Sequence, residues 1–146
     1  MLKLRYQIVT PERVVMEGEA DSLTAMTTSG EVTVLPKHVA LVTLLRAGEM
    51  RVKNDGVETS IAASSGMLEV REGSEVVVLA ETAERSEELE LAAIETAKKR
   101  ATDALANIRN RNDVAFADAA AHLERELARY RVAVKHRRKS NVERQP

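Results

Sequence analysis

The chain has 146 residues, 44% of them hydrophobic, yet only one Phe, two Tyr and no Trp; a core is affordable, a large aromatic-lined ligand pocket is not. Its formal net charge of −1 provides no global basic field for nucleic acid. With no cysteine it has no disulfide, thiolate nucleophile or zinc–thiolate site, which fits a reducing, cytosol-like compartment.

The first residues, Met1-Leu2-Lys3-Leu4-Arg5-Tyr6, lack the apolar core of a signal peptide. No run approaches the roughly 20 apolar residues that span a bilayer, so no direct membrane insertion is expected. Leu2, Leu4, Tyr6 and Ile8 alternate with polar neighbours as in a half-buried strand, which Thr10-Pro11-Glu12 breaks. Short strands follow at Val14 to Glu17, Ser22 to Thr27 and Glu31 to Leu35, punctuated by Gly18 and Gly30. Pro36 ends one run and Val39 to Leu45 begins the next. Met50 and Val52, then Asn54-Asp55-Gly56, then Val57, Thr59 and Ile61 form a hairpin, because Asp-Gly supplies the positive φ angles of a tight turn. Met67 to Val70 and Glu75 to Ala80 flank a second turn at Glu72-Gly73. Many short strands at regular spacing predict an antiparallel sandwich or barrel.

Near Ala80 the composition changes: Ala, Glu, Lys and Arg dominate and glycine disappears. Ser86 is a candidate N-cap, with Glu87, Glu88 and Glu90 opposing the positive end of a helix dipole. Leu89, Ala93, Ala97, Ala101, Leu105 and Ile108 recur at helical spacing, with Lys98, Lys99 and Arg100 further along. Asn107, Asn110 and Asn112-Asp113 mark a break, and Asp113 is placed to cap a second helix. There Phe116, Ala120, Leu123, Leu127, Tyr130 and Val134 repeat in a heptad-like seam. The fold class is therefore α+β, an N-terminal antiparallel β-sandwich or barrel followed by an antiparallel two-helix hairpin. The expected bounds are 1–83 for the sandwich, 84–136 for the hairpin and 137–146 for a basic, frayed tail. An alanine-rich seam buries little area per residue, so the hairpin is expected to be able to detach, extend or repack.

The sequence carries no phosphate-binding glycine loop, nucleophile elbow or H-E-x-x-H motif. His38, His122 and His136 lack neighbours at metal-ligand spacing, so no metal and no catalytic residue is assigned. Arg125, Arg129, Arg131, Lys135, Arg137, Arg138 and Lys139 concentrate positive charge on the second helix, a solvated face or one that seeks an acidic protein surface. Nucleic acid is disfavoured because only Tyr130 interleaves the strip with an aromatic ring.

The run Gly30-Glu31-Val32-Thr33-Val34-Leu35-Pro36-Lys37-His38-Val39-Ala40-Leu41 resembles the G-E-x-G-x-L-P-G-H-A-P-L signature of ATP synthase epsilon subunits of the bacterial type. Thr10-Pro11-Glu12-Arg13-Val14-Val15, Ala47-Gly48-Glu49-Met50-Arg51-Val52, Ser65-Gly66-Met67-Leu68-Glu69-Val70 and Val76 to Arg85 resemble further family segments, in family order. The sequence departs from the pattern at Thr33 and Lys37, where the family has glycine, and at Ala40, where it has proline. Leu89, Glu90, Leu91, Ala92, Ala93 and Ile94 match the family's I/L-D-x-x-R-A motif for ATP, with Glu for Asp and Ala for Arg. Losing the arginine removes the main partner for phosphate, so ATP binding is expected to be weak or absent and no cofactor is assigned.

The resemblance implies a non-catalytic central-stalk subunit of a proton-translocating F-type ATP synthase, peripheral to the cytoplasmic face of a bacterial cell membrane. Its implied partners are the gamma subunit, the c-ring and, through the hairpin, a catalytic beta subunit. Glu31, Pro36 and His38 are the implied rotor contacts, with an ordinary sandwich-closing turn as the alternative. Arg125, Arg129, Arg131 and Lys135 are the implied contacts by which an extended hairpin inhibits ATP hydrolysis. A β-sandwich adaptor with a helical interaction hairpin, unrelated to rotary motors, is the alternative for the whole chain.

Overall fold

A computed structural model describes residues 2–107 and 113–143. The strands are β1 (Leu4–Val9), β2 (Val14–Ala20), β3 (Ser22–Thr27), β4 (Gly30–Val34), β5 (Leu41–Leu45), β6 (Gly48–Asn54), β7 (Val57–Ala63), β8 (Gly66–Arg71), β9 (Glu75–Ala80) and β10 (Ala83–Arg85). A 3₁₀ turn, Ser86–Glu88, leads to helices α1 (Leu91–Ala106) and α2 (Asp113–Glu143). The strands hydrogen-bond in the order β10-β7-β6-β3-β5-β8-β9-β1-β2, with β4 branching from β3. Thr27 and Leu45 are the only aligned pair between β3 and β5, and there the sheet folds into two layers. Leu4, Tyr6, Ile8, Met50, Val52, Ile61, Leu68, Val70, Val76 and Val78 fill the space between them. Full burial of each such Val, Leu or Ile contributes about 1.5–3 kcal/mol.

Several local expectations shift. Leu2 lies ahead of β1 and is exposed. The pairing is antiparallel except for β1 and β9, which run parallel. Those strands come from opposite ends of the sandwich, so no tight turn between them imposes an antiparallel direction. Asp55 (φ 51°) and Gly56 (φ 80°) form the expected left-handed hairpin turn, whereas the β8–β9 turn centres on Gly73 (φ 83°) and Ser74 (φ 60°), one residue later than expected. At Gly66 the β8 and β9 backbones approach so closely that a Cβ would lie 1.9 Å from the Leu79 carbonyl oxygen.

The first helix starts later than its apparent cap. β10 pairs with β7 and keeps the chain extended through Arg85, so Ser86 enters the 3₁₀ turn and is buried there. Glu87 and Glu88 pair with Arg85, and Glu88 with Arg13, instead of forming a first helical turn. Leu89 (ψ 125°) and Glu90 (ψ 112°) are extended, and Glu90 caps α1 without a side-chain hydrogen bond. Setting the start at Leu91 also moves the apolar face: Ile94 and Ala101 are buried, Ala97 and Leu105 are half-buried, and Ala93 is exposed. Ile108, Asn110 and Asn112 lie outside the described residues, as does the Asp113 side chain.

Helix α2 continues past residue 136 to Glu143, where a frayed tail was expected. Lys139 in this extension reaches Glu58 of β7 at 3.2 Å, giving the last turns a tertiary anchor. The expected seam Leu123, Leu127, Tyr130 and Val134 is only half-buried, and Phe116 is exposed. Ala128, Val132 and Ala133 are the buried apolar positions of α2. The reason is that α2 has two neighbours. It packs on α1, where Lys98 Nζ sits 4.2 Å from the Tyr130 ring centroid, and it also lies across β6 and β7.

Candidate interaction surfaces

The signature residues of the β4 region are placed at opposite ends of that strand. Glu31, near its start, accepts a hydrogen bond from Arg51 Nη2 at 2.9 Å, and Arg51 also faces Glu49 at 3.7 Å. Pro36 and His38 lie beyond its end, and at about 3.3 Å per residue the strand keeps them roughly 10 Å or more from Glu31. Lys37 is left-handed (φ 67°), and its amide donates to Ser74 Oγ at 2.8 Å. The glycine-type backbone is thus kept with a side chain in place. His38 Nδ1 donates to the Val39 carbonyl at 2.7 Å. Leu35 and Val39 project into solvent on either side of this turn.

The outer face of the layer β5-β8-β9-β1-β2 carries one apolar row where a one-sided strand pattern calls for polar residues, beside rows that hold Glu69, Gln7 and Glu17 and then Arg71, Glu75, Arg5 and Glu19. Aligned pairs Leu44–Met67, Met67–Leu79, Leu79–Val9 and Val9–Val14 form one row across all five strands. Leu44, Met67, Leu79 and Val14 are between 40% and 60% exposed, and Val42 beside them is 65% exposed. Sequence reasoning passed over this row, although Val42 and Leu44, like Val77 and Leu79, were legible as apolar residues at outward positions.

The outer face of β10-β7-β6 has the opposite character. Its outward residues are Glu84, then Ala62, Ser60 and Glu58, then Glu49, Arg51 and Lys53. Ala62 and Ser60 are buried although they point away from the core, because α2 covers them. Arg125, Arg129, Val132, Lys135 and Lys139 recur at helical spacing on the covering side. Arg129 Nε lies 2.9 Å from Glu84, and its Nη1 donates to Glu126 at 2.7 Å. Burial opposes the charge on Arg129, yet Glu126 and Glu84 hold its guanidinium above its ordinary value. Lys135 donates to Glu49 and, at 3.5 Å, to Glu58. Desolvation works against the Glu58 carboxylate, but Lys139 and Lys135 together hold it below the usual range. Of the four basic residues singled out in sequence, Arg129 and Lys135 are thus engaged by the sandwich. Arg125 turns to Glu126 and His122, and Arg131 is exposed above a groove lined by Glu31, Arg46, Arg51 and Glu124.

At the positions that match the ATP motif, Leu89 and Glu90 are extended linker, Ala93 is exposed and Ile94 is fully buried. Among the described residues no cluster of His, Asp or Glu is arranged to hold a metal.

Residues 3–86 match the family model for the ATP synthase delta/epsilon chain, beta-sandwich domain. The ATP synthase epsilon chain of Dehalococcoides mccartyi is 42% identical over 142 residues, covering 97% of this chain and all of that one. The chain belongs to the ATP synthase epsilon family. The epsilon chain of Geotalea uraniireducens is also 42% identical, over 94% of this chain and 98% of its own length. In fold, the epsilon-family chain is similar to a chain of the Euglena gracilis mitochondrial ATP synthase structure containing OSCP, F1 and the c-ring. That match has a TM-score of 0.70 at 18% identity, covering 84% of this chain and 76% of the other. A chain from the central stalk and c-ring structure of the Tetrahymena thermophila mitochondrial ATP synthase matches with a TM-score of 0.61 at 16% identity, covering 92% and 96%. An adaptor unrelated to rotary motors is not favoured by this set of relatives. No helix among the described residues is long and apolar enough to cross a membrane.

Proposed function

We propose that the chain is the non-catalytic, regulatory central-stalk subunit of a bacterial F-type ATP synthase. Its sandwich sits against the gamma subunit through the exposed row Leu44, Met67, Leu79, Val9 and Val14. The observation that carries this reading is that row: five aligned strands exposing apolar side chains mark a surface built to be covered. The turn Leu35 to Val39, with Pro36 and His38, faces the polar loops of the c-ring, while Glu31 lies at the other end of β4 and contributes to a separate part of the rotor contact. The complex lies on the cytoplasmic face of the cell membrane, where other subunits hold this one in place.

The hairpin is the regulatory element. In its compact form it lies on β6 and β7; extended, it presents Arg125, Arg129, Arg131 and Lys135 to an acidic surface of a catalytic beta subunit and opposes rotation during hydrolysis. ATP is not its trigger. Ala93 offers no cation, and Arg129 is already neutralised by Glu84 and Glu126. Calorimetric titration is expected to show no binding at micromolar ATP, and a micromolar affinity would overturn this part.

The partner assignment is tested by capture on isolated gamma subunit. The wild-type chain is expected to co-elute one to one. Leu44→Glu combined with Leu79→Glu, both outward-facing, should abolish capture while leaving the circular dichroism and melting of the sandwich near wild type. Undiminished capture by the folded double variant would remove this face from the interface.

A further inference from the structure

The basic residues of α2 have a destination inside the chain. We propose that Glu49, Glu58 and Glu84 form an acidic seat on the sandwich that competes with any outside partner for Arg129, Lys135 and Lys139. Release of the hairpin is then an exchange of one set of carboxylates for another, and the partner must be an anionic protein surface. The bearing of this on a motor rests on the function proposed above; the seat itself does not.

Four observations converge on the seat. First, the three carboxylates lie on three neighbouring strands, β6, β7 and β10, and each meets a cation of α2: Arg129 at 2.9 Å from Glu84, Lys139 at 3.2 Å from Glu58, and Lys135 between Glu49 and Glu58. Second, the apolar part of the seam is thin. The buried apolar residues of α2 are Ala128, Val132 and Ala133, all but one of them alanine. The outward residues buried beneath the helix on β7 are Ala62 and Ser60, so little apolar area is available to hold the helix apart from charge.

Third, the chain has a defined pivot. Upstream, β10 is paired with β7, Arg85 donates to the Val15 carbonyl at 3.1 Å and Arg13 reaches Glu88 at 3.3 Å. Downstream, α1 begins at Leu91 with no side-chain cap. Leu89 and Glu90 between them are extended and belong to no ladder. The Leu89 amide donates to the Ser86 carbonyl at 3.3 Å and the Glu90 carbonyl accepts from the Ile94 amide at 3.1 Å, so rotation between these two residues can leave both bonds in place. Fourth, Arg131 is exposed and has no ion pair among the described residues. It is free to make the first contact with an incoming anionic surface while the seat still holds its neighbours.

The test uses the full chain alone, whose lack of cysteine allows site-specific spin labelling at Val57→Cys and Arg137→Cys, both exposed. Inter-label distances are measured from about 0.01 M to about 1 M salt, where the Debye length falls from roughly 30 Å to roughly 3 Å. The wild-type background is expected to show a compact population that opens as salt rises. The triple variant Glu49→Gln, Glu58→Gln, Glu84→Gln should raise the open-to-compact ratio about tenfold at low salt and lose the salt response. Lys135→Gln with Lys139→Gln, made from the helix side, should move both readouts the same way, which covers any folding failure of the triple variant. Polyglutamate at matched ionic strength should open the wild-type hairpin but not change the already open variant. Wild-type distances and salt response in both variants would overturn the seat; no effect of polyglutamate would overturn the competition. Failure to capture gamma would sink the motor reading and leave these distances unchanged.

Discussion

The two outer faces of the sandwich divide the labour of recognition. One, over β6, β7 and β10, carries small residues and carboxylates and is occupied by the chain's own helix. The other, over β5, β8, β9, β1 and β2, carries Leu44, Met67, Leu79 and Val14 and is open. An apolar surface gains by permanent coverage, because its burial is favourable wherever the partner comes from. A charged, thinly packed surface is suited to exchange, since water or another set of charges replaces the lost pairs at small cost. The same domain thus combines a face suited to a lasting contact with one suited to a reversible contact.

That contrast can be broken most severely from within the open layer. Gly66→Ala puts a methyl group into the Leu79 and Ala80 backbone and forces β8 from β9. It is expected to cost about 3 kcal/mol or more, read as a large fall in melting temperature or loss of soluble protein. Ala62→Glu tests the covered face alone. A carboxylate beneath α2 has no space and adds to an already acidic surface, so a shift of about 2 kcal/mol towards the open hairpin is expected. Limited proteolysis should then cut the helices while the sandwich stays intact.

Acid should weaken the covered face and spare the open one. Glu58 faces Lys135 and Lys139 of α2 and Lys53 of the neighbouring strand, and its carboxyl is held below the usual range. A depressed carboxyl stabilises the folded arrangement above its unfolded value and loses that contribution as pH falls through the folded one. The compact hairpin is therefore expected to open below the ordinary carboxylate range, and Glu58→Gln should blunt this acid response in the label distances. The smallest effect is expected at the β4–β5 turn. Lys37→Gly relieves a left-handed side chain and should stabilise by about 0.5–1 kcal/mol, visible as a small rise in melting temperature.

Much of the sandwich was legible because alternation and turn chemistry agree locally, as at Leu4, Tyr6 and Ile8 or at Asp55-Gly56. The change of class near Ala80 was legible for the same reason. What escaped depends on neighbours remote in sequence. Ser86 has the chemistry of a cap, but pairing of β10 with β7 keeps the chain extended beyond the point where propensity would start a helix. Ala62 and Ser60 read as ordinary outward residues until α2 is laid over them. The seam of α2 was assigned to one partner, and a helix between two neighbours shows only half of its burial in a heptad pattern. Glu31 and His38, close in sequence, are separated because the strand between them is straight.

The parallel pair of β1 and β9 has a consequence for how the protein is made. Arg5 lies beside Glu75, which is 70 positions further along the chain. As the nascent chain leaves the ribosome, β1 has β2 as its local partner but waits on its other edge until nearly the whole sandwich has been synthesised. Closure is therefore a late event of high contact order, and slow beside the local hairpins. During that interval the apolar row that crosses β9 and β1 is incomplete. A partner that recognises the assembled row can engage only after β9 has docked, which makes binding itself a check that the domain has closed.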